Sequence, residues 1–512
     1  MSWNVSKIED IIRNRLIINS NSDSFYNCYH KCADKELILQ LYNKTNHEII
    51  FGRRGTGKTT LFKSLHHYAN CGLDKKSICR CIYIDMEDVV PNEETLQDVD
   101  DSIIVIETYR KLLLKFTEFL LDFYTEVHNT GAYYEILYTQ EELKELDKKL
   151  SIFADLIVYG KKSVSKTNYT EDTQKTVEQT KDSNISAKIN LNFDECNSKG
   201  ILSFLKSKKR TEIQKVHVQS EFEYILDIDS LKTLIGQIVN LFKIDRLILC
   251  IDEFTRVDKG TKDTIQPNIA QLIKDTFFRI NNVSVKITSL WHKTEIQKRR
   301  LTGNRIGIEL GEDIERSIDL DTMFFNDKYN RDFFENMMLN TCILFGEDEE
   351  KQIKGNSKDG LKQYIVESLF SNDEIFQLLI CGSQGIPRVF GNLIIAAINK
   401  RRQLKKDKID ADIVYDCITQ NFKQHTRRKL PYMDESIIDK FDEFIDEHKS
   451  RFILISNNEY KNHKIEIDGL IENNYMHQYP SENIDRKLRN KYKVYLVHFG
   501  NYLEVLDMMN II

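Results

Sequence analysis

Five short apolar runs, each followed by polar residues, divide the N-terminal two-thirds of the chain. They are HEIIFG (47–52), CIYIDMED (81–88), RLILCIDEF (246–254), VSVKITSLWHKT (283–294) and ERSIDLD (315–321). The third run contains a stretch without polar residues, Leu247 to Ile251, which is typical of a strand buried on both faces of a parallel sheet. Stretches with helical spacing follow the first two runs, at 59–69 and 107–127. The pattern predicts an α/β fold built on a parallel sheet.

The loop after the first run, FGRRGTGKTT (51–60), matches the phosphate-binding pattern G-x-x-x-x-G-K-[ST]. Its glycines let the backbone curl around phosphates, so that main-chain N–H groups and the next helix N-terminus face anionic oxygens. Lys58 would reach the β- and γ-phosphates, and the Thr59 hydroxyl would ligate Mg²⁺. The residues predicted to contact the nucleotide are Gly52, Arg53, Arg54, Gly55, Thr56, Gly57, Lys58, Thr59 and Thr60. The sequence therefore predicts a nucleoside triphosphate site.

Two adjacent acids, Asp252 and Glu253, end the third run. Neighbouring side chains diverge on a strand, so the two carboxylates are expected to have different tasks. We expect Asp252 to hold Mg²⁺ through water and Glu253 to polarise the attacking water, with Lys58 as a further catalytic residue. This division of labour suits hydrolysis. No guanine-reading N-K-x-D tetrapeptide stands at a strand end, which favours ATP.

These motifs are similar to those of the AAA+ and STAND ATPases, and GSQGIPRVFG (382–391) resembles the G-x-P-R element in the helical lid of origin-recognition-type AAA+ proteins. The resemblance implies that Arg388 contacts the γ-phosphate from within the same subunit. It also implies a polar sensor of that phosphate at the end of the fourth run, where Thr288 and Ser289 stand. We choose Ser289, with His292 behind it.

The resemblance further implies an arginine that reaches the nucleotide of a neighbouring subunit, where its planar fork would stabilise transition-state charge. The candidates between the fourth and fifth runs are Arg299, Arg300, Arg305 and Arg316. Arg316 lies closest to the following strand and is our choice, although a solvated basic loop is an equal alternative for each of them. By motif and order, the resemblance covers roughly residues 25–90 and 225–405.

An insertion is predicted between the two nucleotide motifs, because Lys58 and Asp252 are 194 positions apart. Residues 160–184 contain few apolar groups and are predicted to form a flexible loop. The next segment, ISAKINLNF (185–193), alternates strictly and predicts a half-buried strand. The insertion could contact a partner, or it could be an addition to the family fold that takes no part in the motor. The two alternatives are equal.

The last 80 or so residues are predicted to form a third unit, with a helix at 437–452 and a strand, Gly–Asn turn and strand at 492–506. The order resembles the winged helix that follows the lid in origin-recognition-type ATPases. The basic residues flanking the predicted wing are Arg486, Lys487, Arg489, Lys491 and Lys493, where phosphate contacts would be useful. Residues 401–512 nevertheless carry 19 basic and 19 acidic residues, so the unit could bind protein as readily as double-stranded DNA.

The composition of the chain indicates its solubility and its cellular compartment. The 512 residues carry a net charge of −6 and no apolar run near the roughly 18 residues that span a bilayer, which predicts a soluble protein without a membrane partner. The first 15 residues lack a signal-peptide core. Ten irregularly spaced cysteines predict reduced thiols in a cytoplasm. The close pairs, Cys28 with Cys32 and Cys79 with Cys81, lack the usual zinc spacing.

The predicted plan is an N-terminal helical segment (1–24), an AAA+ type ATPase core (25–128 and 225–325), an insertion (129–224), a helical lid (326–430) and a winged-helix-like domain (431–512). One hypothesis is an ATP-hydrolysing AAA+ machine that needs ATP and Mg²⁺, forms a homo-oligomer and acts on nucleic acid or a partner effector. The alternative is a STAND-like switch whose slow hydrolysis gates protein assembly. The resemblance makes bacterial antiphage defence a setting for either.

Overall fold

The structure of the chain is a computed structural model. It describes residues 5–16, 35–71, 78–90, 101–129, 138–159, 161–164, 222–258, 265–299, 305–315, 317–323, 327–345, 358–430, 435–479, 488 and 491–508. The predicted strand at 185–193 lies outside these residues, as do Arg300, Arg316 and the wing residues Arg486, Lys487 and Arg489. No helix among the described residues is long and apolar enough to cross a membrane.

Helices and strands alternate through the first two-thirds of the described chain. The elements are α1 (Val5–Arg15), α2 (Lys35–Asn43), β1 (Glu48–Phe51), α3 (Lys58–Cys71), β2 (Cys79–Asp85), α4 (Asp101–Asn129), α5 (Gln140–Tyr159), β3 (Lys161–Val164), β4 (Phe222–Ile225), α6 (Ile228–Leu241), β5 (Arg246–Asp252), α7 (Ile265–Phe277), β6 (Val283–Ser289), β7 (Gln297–Arg299), β8 (Arg305–Gly307), β9 (Ser317–Asp319) and α8 (Leu320–Met323).

Five of these strands form one parallel sheet in the order β2-β5-β6-β1-β9, which confirms the predicted α/β class. Strands β1, β5 and β6 alternate little in burial because helices cover both faces. One face packs against α4, α5, α6 and α7 and the other against α2 and α3. In a parallel sheet all carboxyl ends meet at one edge, so the loops that follow β1, β5 and β6 come together there.

The insertion is partly built into this core. Helix α5 buries Leu146, Leu150, Phe153 and Ile157 in the same apolar cluster as the sheet. Strand β3, which falls inside the stretch predicted to be a flexible loop, pairs antiparallel with β4. The prediction is therefore wrong for residues 161–164: backbone pairing with a distant segment orders a polar sequence that buries little surface by itself.

Five helices lie in the region predicted to be the lid, and we call them the lid. They are α9 (Asp327–Phe345), α10 (Lys358–Leu369), α11 (Asp373–Ser383), α12 (Pro387–Gln403) and α13 (Ala411–Asn421). These helices surround an apolar cluster of their own, to which α1 contributes Ile8, Ile11 and Ile12. Glu9 of α1 is buried and forms ion pairs with Arg401 and Arg402 of α12. The N-terminal helix thus packs against the lid rather than against the sheet.

The C-terminal unit contains α14 (Glu435–His448), β10 (Phe452–Ser456), α15 (Asn457–Asn462), α16 (Lys464–Glu472), β11 (Met476–Gln478), β12 (Tyr492–Val497) and α17 (Phe499–Met508). The strands form an antiparallel sheet in the order β10-β12-β11. The elements α14 to β12 follow the order of a winged helix, which is a helix, a strand, two helices and a two-stranded hairpin. Helix α17 follows as an added helix, and we call α14 to α17 the winged unit.

Two local predictions in this unit are wrong. The segment after β12 is helix α17 and not the second strand of a hairpin, because Gly500 does not form a turn. It permits close packing: a Cβ at Gly500 would lie 2.5 Å from Cβ of Phe422. The predicted helix at 437–452 ends at His448, and Phe452 already belongs to β10, which pairs with β12.

Candidate nucleotide site at the carboxyl edge of the sheet

The phosphate loop is curled tightly between β1 and α3. Gly55 and Gly57 have φ angles of +88° and +93°, a region that side chains rarely adopt. A Cβ at Gly52 would lie 2.7 Å from Oγ1 of Thr56, whose hydroxyl closes the loop by donating to the carbonyl of Arg53. Helix α3 begins at Lys58, so its first N–H groups, which have no partner within the helix, open toward the loop. This cradle fits an anionic phosphate group.

Lys58 lies inside the cradle and is buried. Its ammonium donates to the carbonyls of Gly52 (2.6 Å) and Arg53 (2.9 Å). Burial lowers the pKa of Lys58, and the negative charges of Glu253, Asp321 and Asp252 oppose that shift. The lysine therefore faces the acidic end of β5, and a bound triphosphate would supply the anionic partner that the loop carbonyls now replace.

The loop arginines point in different directions. Arg53 is 6% exposed and is turned away from the loop, onto Asp321 (2.9 Å) and the carbonyl of Gln384 (2.8 Å). Arg54 is half exposed and forms an ion pair of 3.5 Å with Glu472 in the winged unit. The hydroxyl residues Thr59 and Thr60 open helix α3 and are half-buried. Of the predicted contact residues, Arg53 is thus engaged elsewhere through its side chain.

Asp252 ends β5 and is fully buried. Its Oδ2 accepts the hydroxyl of Tyr83 (2.9 Å) from the neighbouring strand β2. Its Oδ1 accepts the hydroxyl of Thr288 from β6 and the N–H of Glu253 (3.0 Å). A carboxylate has about four acceptor positions, so the described residues fill three of them and leave one on Oδ2. The remaining position can accept a metal-bound water, which fits a role in holding Mg²⁺ through water.

Glu253 is forced into a left-handed backbone conformation, with φ of +54°, directly after the strand. For a residue other than glycine this conformation is uncommon and clusters at functional sites. Its N–H donates to both Asp252 and Thr288, and its carboxylate is 3.5 Å from Nε of Arg256. The Glu253 side chain is 22% exposed, whereas Asp252 is fully buried. The two acids therefore have separate surroundings.

Asp85 lies opposite Asp252 at the end of β2. Burial raises its pKa to about 6, with smaller contributions from the charges of Asp252, Asp88 and Glu253. Oxygen ligands and excess negative charge are what Mg²⁺ prefers. No cluster of three or more metal-binding side chains exists among the described residues, so a metal here would take ligands from the nucleotide and water as well.

The end of β6 carries two hydroxyl residues with different partners. Thr288 contacts both Asp252 and the N–H of Glu253, as described above. Ser289 is fully buried, and its hydroxyl is 2.5 Å from that of Thr294. Sequence reasoning chose Ser289 as the sensor, whereas the structure brings Thr288 to the acids. Adjacent side chains of a strand point to opposite faces of the sheet, and register decides which of the two lies beside Asp252 on the neighbouring strand. The sequence carries no signal of that register.

The lid meets the loop at the start of α12. A Cβ at Gly55 would lie 2.9 Å from Cγ2 of Ile386 and 3.4 Å from Cβ of Arg388. Arg388 is exposed at this junction.

Of the candidate arginines for a neighbouring subunit, Arg305 is exposed and forms an ion pair with Glu309. Arg316 lies outside the described residues.

No known protein-family profile and no curated protein sequence matches the chain. Solved structures do match. The ORC2 protein of Aeropyrum pernix is 10% identical, with 97% of this chain and 96% of that chain covered and a TM-score of 0.39. The similarity extends over nearly the whole of both chains. A Walker-type ATPase of Pyrococcus abyssi is 11% identical, with 93% and 95% covered and a TM-score of 0.34. Cdc6p from Pyrobaculum aerophilum is 8% identical, with 98% of this chain and 99% of that chain covered and a TM-score of 0.30.

The winged unit also contacts residues of the candidate nucleotide site. Glu472, the last residue of α16, forms ion pairs with Arg54 (3.5 Å) and with Lys293 (2.5 Å), which follows β6. His292, the neighbour of Lys293, is partly buried and its pKa is lowered to about 4, first by burial and then by the charge of Lys293. Sequence reasoning missed Glu472, Tyr83 and Lys293, because their roles arise from packing between distant elements.

Proposed function

We propose that the chain binds ATP with Mg²⁺ at the carboxyl edge of the sheet and hydrolyses it. The observation that carries this proposal is the meeting, at one edge, of a phosphate cradle after β1 and the acid pair after β5, with Thr288 of β6 joining the two acids. When bound, ATP supplies the phosphoryl group and Mg²⁺ neutralises charge that develops on its oxygens.

The roles of the residues follow from their surroundings. Lys58 and the loop N–H groups hold the phosphates, and the Thr59 hydroxyl and Asp252 hold the metal, the latter through water. Glu253 orients the attacking water and accepts its proton. Thr288 contacts both Asp252 and the N–H of Glu253 and so holds the two acids in position. We propose Thr288, alongside Ser289, as the polar residue of β6 that senses the γ-phosphate. Arg388 approaches the γ-phosphate from the lid, and Arg316 remains our candidate for a neighbouring subunit's site.

The test is the rate of ATP hydrolysis by the purified protein and by Glu253→Gln, with and without double-stranded DNA, while particle mass is followed. The proposal expects the substitution to lower hydrolysis by at least about 100-fold and to leave ATP binding within about twofold. Glu87→Gln is the matched control, since Glu87 is an exposed acid close to the same Arg256. Equal rates for wild type and Glu253→Gln would contradict the proposal.

The contact made by Glu472 favours a second candidate, a nucleotide switch with slow hydrolysis. A triphosphate would compete with Glu472 for Arg54 and Lys293, because both ion pairs of Glu472 are electrostatic and partly exposed to solvent. In this candidate, ATP releases the winged unit from the core and hydrolysis restores the contact. Tightly held ADP, negligible turnover and an ATP-dependent change in mass support it; steady turnover stimulated by DNA supports the machine instead.

Helix α16 also bears on the partner. Apart from Lys464 at its start, its charged residues are Glu466, Asp468 and Glu472, and the last faces the ATPase core. An acidic helix is unsuited to the DNA major groove. We therefore propose a protein effector as the first partner to test and double-stranded DNA, contacted through Lys491 and Lys493, as the second. Homo-oligomer formation and an antiphage setting stay predictions, checked by particle mass with ATP and by plaque counts on cells carrying wild type or Glu253→Gln.

A further inference from the structure

The side chain of Arg53 joins three separate parts of the molecule. Its main-chain N–H and its Nε each donate to Asp321 at 2.9 Å, one to each carboxylate oxygen. Its Nη2 donates to the carbonyl of Gln384 at 2.8 Å. Asp321 lies in α8, directly after edge strand β9, and Gln384 lies at the end of lid helix α11. A single guanidinium thus ties the phosphate loop to the sheet edge and to the lid.

The carbonyl that Arg53 holds belongs to the turn from which the lid arginine is presented. Gln384 and Gly385 both have left-handed backbone conformations, with φ of +55° and +72°. The turn leads at once into α12, whose second residue is Arg388. Because the turn is short, fixing the Gln384 carbonyl also fixes where the first turn of α12 rests on Gly55.

Stability alone does not account for this arrangement. A buried ion pair is often no more stabilising than apolar residues of similar volume. The Nη1 atom of Arg53 is also buried without a hydrogen-bond partner among the described residues, which is unfavourable. Only the planar fork of arginine can bond Asp321 and the lid carbonyl at once, since a lysine ammonium would reach one of them.

We propose that Arg53 is a positioning residue that holds Arg388 over the γ-phosphate, so that the protein distinguishes ATP from ADP. The inference rests on the proposed nucleotide site and assigns to Arg53 a role separate from phosphate contact. Arg53 acts through Arg388, so its effect requires that arginine to be present. Asp321 serves as the fixed anchor of Arg53 at the sheet edge.

The test is the ratio of the dissociation constants of ADP and ATP, measured with Mg²⁺ for wild type, Arg53→Lys, Arg388→Ala and the double variant. Loss of one charge-assisted hydrogen bond predicts that Arg53→Lys lowers this ratio about tenfold, as does Arg388→Ala. In the Arg388→Ala background, Arg53→Lys should change the ratio less than about twofold. Arg246→Lys is the matched control, because Arg246 makes a similar bond to the carbonyl of Tyr42 at the opposite edge of the sheet.

Hydrogen exchange gives a second readout without nucleotide. In Arg53→Lys, the amides of residues 384–390 should exchange faster than in wild type, whereas the amides of β5 should not change. Additive effects of the two substitutions, or an unchanged ratio and unchanged exchange in Arg53→Lys, would overturn the inference while leaving nucleotide binding intact. A wild type that binds neither ATP nor ADP would overturn the proposed function itself, and this inference with it.

Discussion

The carboxyl edge of the sheet and the junction with the winged unit are held together by different kinds of polar contact. At the sheet edge the charged groups are deeply buried: Asp252 is fully buried and accepts three hydrogen bonds, and the Arg53–Asp321 pair is 6% and 15% exposed. At the junction, Glu472 and its partners Arg54 and Lys293 are 30–47% exposed. Breaking one partner of a buried pair is strongly destabilising, whereas exposed pairs contribute little and are screened by salt. We call the buried contacts at the sheet edge the rigid region. The proposed chemistry lies there, and the contact that we propose to be releasable lies at the junction.

The largest expected effect removes the cation of the rigid region. Lys58→Ala should weaken ATP binding by at least about 100-fold, because it removes the buried ammonium of the proposed phosphate site. Lys44→Ala, which removes an exposed lysine paired with Glu48 at the opposite edge, is the control and should leave affinity unchanged. Isothermal titration with ATP and Mg²⁺ measures both. Similar affinities for the two variants would place the nucleotide away from the loop.

The next effect separates metal positioning from binding of the nucleotide. Tyr83→Phe removes one of the hydroxyls that hold Asp252 and should raise the Mg²⁺ concentration for half-maximal hydrolysis about tenfold, with affinity for metal-free ATP unchanged. Tyr109→Phe is a matched control, since its buried hydroxyl bonds Leu272 and Thr276 away from the acids. A fall in the maximal rate with an unchanged Mg²⁺ requirement would argue against this role.

Acid should weaken the winged unit through His498. Burial, followed by the charges of Arg451 and Arg53, lowers the pKa of His498 to about 3. The unfolded chain takes up the proton near pH 6.5 and the folded chain only near pH 3, so this residue's contribution to stability is present above pH 6.5 and is lost as pH falls. The unfolding equilibrium should shift by up to about tenfold per pH unit between these values.

Urea unfolding followed by circular dichroism at pH 7 and pH 5 checks this effect. His498→Asn keeps an acceptor for the N–H of Gly500 and should lose less stability on acidification than wild type. His463→Asn, at an exposed histidine of the same unit, should behave as wild type. The same acid dependence in wild type and His498→Asn would refute the assignment.

The smallest effect concerns the junction. Glu472→Gln should increase the fraction of molecules in which the winged unit is detached from the core by no more than about fivefold, as expected for partly exposed ion pairs. Glu466→Gln on the same helix is the matched control. Hydrogen exchange of α16 without nucleotide measures the opening, and added salt should reproduce the effect in wild type. An effect larger than that of Lys58→Ala would reverse the comparison between the two regions.

Much of the rigid region could be predicted from the sequence, because its signals are local. The phosphate loop needs glycines at set positions, and β5 is an unbroken apolar run that ends in two acids. The choice between Thr288 and Ser289 needed the register of β6 against β5. The role of Tyr83 likewise depends on a strand pairing across more than 160 positions of chain.

The winged unit was harder to predict in detail. Its order of helices and strands was recognisable, but α17 was mistaken for a strand because Gly500 and Asn501 are typical turn residues. In the structure Gly500 makes room for Phe422, and Asn501 is buried and donates to Asp442 at 2.7 Å. Tertiary packing thus overrides a local turn signal. The contact of Glu472 with the core could not be inferred, since no local pattern specifies how two domains meet.

Whether Glu253 promotes hydrolysis at the sheet edge is best measured by single-turnover hydrolysis of ATP, with protein in excess, by wild type and Glu253→Gln in the presence of Mg²⁺. Excess protein keeps the nucleotide bound, so the measurement reports chemistry apart from binding and release. We predict that wild type converts bound ATP to ADP while Glu253→Gln retains it uncleaved. Conversion at the same rate by both proteins, or no ATP bound by wild type, would contradict it.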